Sequence, residues 1–188
     1  MRRKTFDVLF ETSTGLTAIA KQPCLWRSAF YFTMSVGPFV GVMTNIWFKS
    51  YPLDERMVII LALVVILASA LAMYGFLLHG IMETFGALAG DALALICLLG
   101  YTALPFLILT PAALLGAKLG VEGIPVIISA IGLGLIWLLY LLVKSLEAIY
   151  LIDALRASIT ILFSLLLLYV VFILPFQLGI TLLIKTLL

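Results

Sequence analysis

Three ionisable side chains, His79, Glu83 and Asp91, lie in a stretch of sequence whose other residues are typical of a membrane-spanning segment. Burying such a group at membrane depth costs several kcal/mol unless a partner compensates, so each marks a candidate functional site. On a helix, His79 and Glu83 would share a face, where an imidazole and a carboxylate pair, exchange a proton or hold a cation. The alternative is an interfacial position wetted by lipid headgroups.

A second polar group comprises Glu147, Tyr150, Asp153 and Arg156. Asp153 and Arg156 are three residues apart, a spacing at which opposite charges pair on a helix. Such a pair is more typical of a solvated surface than of a site. If this group and the one around His79 belong to connections on the same side of a membrane, they would form one polar patch or vestibule.

These residues do not complete a catalytic or metal site. His79 is the only histidine, there is no Gly-x-Ser-x-Gly turn, and the phosphate-loop and dinucleotide fingerprints are missing. A metal site would need further ligands converging on His79 and Glu83, and the two cysteines, Cys24 and Cys97, are far apart without ligand spacing. We therefore predict no catalytic residues, no metal and no cofactor.

Composition places the chain in a membrane. Of its 188 residues, 65% are hydrophobic and 11% charged, whereas a soluble domain is about half apolar and about a quarter charged. The net charge is only +2, and the basic residues form no stripe that would neutralise phosphates. Nucleic acid is therefore excluded as an expected partner, and lipids and other membrane proteins are favoured.

The elements that must position the polar groups are membrane-spanning helices, since a hydrocarbon core about 30 Å thick needs about 20 apolar residues. We predict an all-α bundle of five spans, residues 28–188, preceded by a lead over residues 1–27. The second span can face lipid, and the third, which contains Gly100, Pro105 and Pro111, should be kinked by its prolines. Residues 79–91 are predicted to be a polar or re-entrant connection, and 144–157 a second connection. The predicted spans are 28–48, 57–78, 92–117, 124–143 and 158–184, with Pro175 and Gln177 bending or ending the last.

The lead has the pattern of an amphipathic helix, with Phe6, Leu9, Phe10 and Leu16 on one broad arc. It would lie in the headgroup plane or, as an equal alternative, dock on the spans. Lysines and arginines favour an N-terminus inside and a C-terminus outside, by seven to four. The expected location is a cytoplasmic membrane, or the endoplasmic reticulum or Golgi if the protein is eukaryotic.

Small residues mark candidate helix contacts. Gly-x-x-x-Gly spacing occurs at Gly37 with Gly41, Gly86 with Gly90, and Gly116 with Gly120. Only Gly37 with Gly41 lies well inside a span, which makes it the candidate for close packing between helices.

The third span contains Leu99-Gly100-Tyr101-Thr102-Ala103-Leu104-Pro105, which resembles the Gly-Tyr-x-x-x-Pro signature of the Yip1 family of five-span membrane proteins. Three other parts of the chain are similar to the family's pattern: the lead with Thr5-Phe6 and Gln22-Pro23, the Gly-rich stretch after His79, and the end of the fourth span at Trp137 to Leu141. The Asp-Leu-Tyr-Gly-Pro element of eukaryotic members is absent. The resemblance therefore implies a prokaryotic type, for which the family's contact with small GTPases is not expected.

The favoured function is a non-catalytic scaffold or accessory subunit that binds lipids, partner membrane proteins or a second copy of itself. The alternative is a small transporter or channel for an ion or solute, in which Asn45 and Tyr101 line a path. A third hypothesis is an enzyme that acts on lipid headgroups through Glu83 and Asp91.

Overall fold

The computed structural model describes residues 12–87, 90–175 and 177, and over that part of the chain the fold is helical, with no strand. Five helical segments are long and apolar enough to cross a membrane: Leu25–Trp47, Leu53–Thr84, Ala92–Lys118, Gly120–Tyr150 and Ala154–Val171. The predicted all-α membrane bundle is therefore confirmed. The helices, in chain order, are α1 Thr12–Ala20, α2 Leu25–Trp47, α3 Leu53–Thr84, α4 Ala92–Thr102, α5 Pro105–Lys118, α6 Ile124–Tyr150 and α7 Ala154–Leu168.

The third span, α4 with α5, is the axis of the bundle. Helix α4 contacts α1, α2, α3 and α6, and α5 packs between α2 and α6. In the most apolar window of this span 61% of the residues are buried, compared with 6% in the second span, α3. The second span is thus the least buried of the five, as a helix that faces lipid would be.

The predicted kink of the third span lies at Pro105. Helix α4 ends at Thr102, and Pro105 begins α5. Since Pro105 has no N–H to donate to the carbonyl of Tyr101, that carbonyl instead accepts a hydrogen bond of 3.1 Å from the Leu104 N–H. The carbonyl that Pro105 would leave free is therefore satisfied by the backbone. Pro111 lies inside α5 without breaking it.

The predicted connection over residues 79–91 is helical in its first half, because α3 continues to Thr84. Leu78, Ile81 and Met82 are buried there, and this packing stabilises the last helical turns despite the polar residues between them. With 32 residues, α3 is about 48 Å long, so it extends beyond a hydrocarbon core of about 30 Å.

The connection predicted over residues 144–157 is likewise shorter than expected. Helix α6 continues to Tyr150 and ends at Leu151, which adopts a left-handed conformation with φ 53°. Only residues 151–153 separate α6 from α7. Glu147 and Tyr150 therefore lie on the last turns of a helix, where their directions are set by α6.

The described part of the lead, α1, docks on the bundle. Its Leu16 is fully buried and its Ile19 nearly so, in one core with Leu95 of α4 and Leu146 of α6. Residues 12–20 thus follow the docked alternative. Phe6, Leu9 and Phe10 lie outside the described residues.

Candidate functional site

His79 forms the centre of a polar cluster at one end of the bundle. Its Nε2 lies 3.3 Å from Glu83 Oε1, which confirms the pairing predicted from their spacing. Its Nδ1 lies 2.6 Å from the hydroxyl oxygen of Tyr150, a residue 71 positions away on α6. His79 is half-buried, whereas the Glu83 side chain is 62% exposed. The imidazole therefore joins the end of α3 to the end of α6.

Tyr150 is held in place by Gly90. A Cβ built on Gly90 would overlap the Tyr150 ring, with Tyr150 Cζ only 2.6 Å away, so the backbone before α4 lies directly against the aromatic face. Tyr150 itself is only 3% exposed. The described residues of three spans thus converge on this ring: α3 through His79, the start of α4 through Gly90, and α6 through Tyr150 itself.

Asp91 does not join the histidine pair. It is the N-cap of α4, where its Oδ1 accepts a hydrogen bond of 3.0 Å from the Leu93 N–H. Aspartate is among the best N-caps because its carboxylate satisfies an amide that has no partner in the helix. This geometry gives Asp91 a structural role beside the cluster.

The second polar group lies at the same end, since Tyr150 belongs to it. Glu147 pairs with Lys144 at 2.6 Å, and Asp153 lies 3.7 Å from Arg156. The predicted Asp153–Arg156 pair is therefore present, and both partners are largely exposed. Sequence reasoning missed Lys144 as the partner of Glu147, although their i, i+3 spacing was a visible signal.

An open cavity of about 630 Å³ lies beside the cluster, between the end of α3 and the start of α7. Tyr150 and Arg156 contribute polar atoms to its wall, and Met82, Phe85 and Ile159 contribute apolar ones. The two predicted polar groups therefore share one end of the molecule, and the second group borders this cavity through Tyr150 and Arg156. Among the residues that the structure describes, no three acidic, histidine or cysteine side chains are arranged to hold a metal ion.

The Gly100, Tyr101 and Pro105 motif is a packing joint. A Cβ on Gly100 would overlap the Ser28 side chain and lie 2.8 Å from the Ser28 carbonyl oxygen, so α2 and α4 approach most closely there. The Tyr101 ring packs on Tyr31, with centroids 5.0 Å apart. The motif therefore sets the contact between the first and third spans.

Gly37 and Gly41 form an open edge of α2. A Cβ on Gly37 would meet nothing within 4 Å, and one on Gly41 would meet only Ile60 Cδ1, at 3.9 Å. The pair therefore makes no close approach to another helix within residues 12–87, 90–175 and 177. Gly116 does pack closely, against Gly123, whose carbonyl oxygen would lie 2.9 Å from its Cβ, whereas a Cβ on Gly120 would meet nothing within 4 Å.

An apolar groove of about 670 Å³ was not predicted. All five spans contribute to it, with Phe32, Val40, Leu67, Tyr74, Phe106 and Leu165 among its lining side chains. Neither Asn45 nor Tyr101, the residues predicted to line a transport path, lies on its wall. Asn45 instead donates to the Gly41 carbonyl at 2.9 Å and accepts from Arg56 at 2.6 Å. A groove between helices leaves no periodic signal in any one span.

Comparison with known proteins gives a family but no near relative. The model of the Yip1 domain matches residues 6–174, which include all five apolar helices up to the end of the fifth. No curated protein and no solved structure matches the chain.

Proposed function

The chain belongs to the Yip1 domain family, and from that membership and its exposed surfaces we propose that it is a non-catalytic scaffold or accessory subunit that binds partner membrane proteins or lipids. It is a multi-pass membrane protein. In the described residues, its best candidate side chains for chemistry already have partners within the chain. His79 contacts Tyr150 and Glu83, and Asp91 accepts a hydrogen bond from the backbone at the start of α4. These contacts support a structural role for the polar end.

The observation that carries the partner-binding proposal is the open edge at Gly37 and Gly41. In membranes, helices associate through van der Waals contact, and small residues four apart let two backbones approach closely. At Gly75, Gly100 and Gly134 that space is filled by other parts of this chain. At Gly37 the space beside the backbone is empty among the described residues, so a helix of a partner could approach closely there.

Substituting Gly37 with leucine is expected to lower the recovery of co-purifying membrane proteins, or of a second copy, by about tenfold, which corresponds to about 1.4 kcal/mol of lost helix contact. The measurement is quantitative mass spectrometry after gentle detergent extraction. Gly132→Leu is the matched control, because a Cβ on Gly132 also meets nothing within 4 Å and Gly132 has no glycine four residues away. Equal recovery from both folded variants would remove the support for this edge.

We further propose that the polar end faces the cytoplasm, in a cytoplasmic membrane, because the basic residues of the lead and of the 144–156 stretch favour that side. Lys49, at the opposite end, should then be outside. In a Cys24→Ala background, a Lys49→Cys variant is expected to react with a membrane-impermeant maleimide in intact cells. Labelling only after the cells are permeabilised would reverse the orientation.

A further inference from the structure

The apolar groove holds one unsatisfied hydroxyl group. Three hydroxyl side chains lie on its wall: Tyr74 is 2.8 Å from Ser164 Oγ, and Thr102 donates to the Leu99 carbonyl at 2.7 Å. The third, Thr44, is 1% exposed, and its Oγ1 has no hydrogen-bond partner in the described part of the chain. A buried hydroxyl without a partner costs about 1–3 kcal/mol, so a ligand acceptor at this position would be stabilised.

The groove is long enough to hold the acyl chain of one membrane leaflet. Its wall extends about 16 Å along α3, from Leu63 to Tyr74, and about 24 Å along α2 and its C-cap, from Phe32 to Phe48, whereas half of a hydrocarbon core is about 15 Å. Its volume of about 670 Å³ is within the usual range of small-molecule sites, about 300–1,000 Å³. A wall of aliphatic and aromatic side chains suits a hydrocarbon chain.

Aromatic residues place one end of the groove at the membrane surface. Trp47, on its wall, is 73% exposed, and Tyr51, just beyond it, is 47% exposed. Tryptophan and tyrosine concentrate at the level of lipid headgroups. Thr44 lies about one helical turn below Trp47, at the depth where a phospholipid carries its ester carbonyls.

Arg56 continues the same face of α3 beyond the groove. It lies seven residues before Leu63 and eleven before Leu67, a helical spacing that keeps all three on one side. Its Nη1 donates to Asn45 Oδ1 at 2.6 Å, while its buried Nε has no partner among the described residues. No carboxylate of the described chain forms an ion pair with it. A guanidinium held in this way has donors left for a phosphate.

From these observations we propose that the groove binds one anionic glycerophospholipid, with an acyl chain between the spans, an ester carbonyl on Thr44 and the phosphate on Arg56. Such a site gives a specific form to the lipid binding proposed above. It does not depend on the open edge at Gly37 and Gly41, since neither glycine lines the groove.

The test is native mass spectrometry of the full chain in detergent, with phosphatidylglycerol and phosphatidylcholine added in equal amounts. The wild-type protein is expected to retain one phosphatidylglycerol in preference to phosphatidylcholine. Arg56→Gln should reduce that preference about tenfold, because a charge-assisted contact is lost. Ala70→Phe, which fills the groove, should abolish retention of either lipid.

Two matched controls separate the site from general effects. Ala68→Phe adds the same ring to α3 outside the groove, and Lys118→Gln removes a charge at the same end of the bundle. Both should bind like the wild type. If Arg56→Gln does not fold, Thr44→Val serves instead, and it should weaken retention about fivefold through the loss of one hydrogen bond.

Equal retention of the two lipids by the wild type, or unchanged retention by Ala70→Phe, would overturn the proposal. So would a dimer that Ala70→Phe dissociates, because the groove would then hold a second copy of the chain. If Gly37→Leu loses protein partners but retains lipid normally, the lipid site still stands. If Ala70→Phe loses lipid but retains protein partners normally, the proposed partner edge at Gly37 and Gly41 still stands.

Discussion

The Gly100→Ala variant is expected to lose about 3 kcal/mol of unfolding free energy, or to fail to fold. The added Cβ would overlap the Ser28 side chain and approach the Ser28 carbonyl oxygen to 2.8 Å. That oxygen belongs to the backbone of α2, so no rotamer change relieves the contact, and the first and third spans must separate. Overpacking of this kind costs about 1–3 kcal/mol or more, which exceeds the gain of up to about 1 kcal/mol from helix propensity.

The measurement is reversible unfolding in mixed detergent micelles, followed by tryptophan fluorescence. Gly132→Ala is the control, because its Cβ points into open space and only the propensity gain remains. It should be as stable as the wild type or up to about 1 kcal/mol more stable. If Gly100→Ala unfolds at the same denaturant concentration as Gly132→Ala, then the contact with Ser28 is not tight.

The glycine and the proline of the family signature each have a physical role in the packing of the spans. Gly100 allows α2 to approach the central span, and Pro105 turns that span three residues after α4 ends. Both are requirements of the bundle's packing. The signature by itself therefore indicates how the spans assemble.

The Tyr150→Ala variant should also be destabilised by about 3 kcal/mol, a typical cost of removing a buried aromatic side chain. The ring is enclosed by Gly90 and its hydroxyl is the partner of His79, so three spans lose a shared contact. Lipid tails are as apolar as the side chains of the bundle, so removal from water contributes little here. Lost van der Waals packing therefore accounts for most of this cost. Tyr150→Phe keeps the ring and loses one hydrogen bond, so about 1 kcal/mol is expected.

The same unfolding measurement applies, with Tyr140→Ala as the control. Tyr140 lies on the same helix but is 49% exposed to lipid, so its removal should change stability by no more than about 0.5 kcal/mol. Hydrogen exchange of the first turn of α4 provides a second readout, and it should be faster in Tyr150→Ala. Equal stability of the two alanine variants would show that the polar end does not join the spans.

Together, the two sites divide the molecule into parts with different roles. The polar end around Tyr150 and the joint at Gly100 hold the spans together within the chain. Among the described residues, the surfaces that we propose for other molecules are the open edge at Gly37 and Gly41 and the apolar groove with Thr44. A protein whose polar residues stabilise its own bundle and whose apolar surfaces remain open is suited to binding in the membrane.

Several features could be predicted from the sequence because their causes are local. Hydropathy over about 20 residues identified five spans, and Pro105 implied a kink, since a proline removes a helical hydrogen bond wherever it stands. The pairs His79–Glu83 and Asp153–Arg156 followed from helical spacing alone. Each of these depends on residues within one or two turns of each other.

Other features were decided by tertiary packing. The last turns of α3 and α6 remain helical where the sequence is polar, because Met82 and Leu146 are buried against neighbouring spans. Tyr150 meets His79 and Gly90, and Gly100 meets Ser28, only because particular helix faces pack in a particular register. The groove exists where five helices fail to fill the space between them. Hydropathy determines that a helix lies in the membrane, whereas the shape of its neighbours determines which of its residues meet.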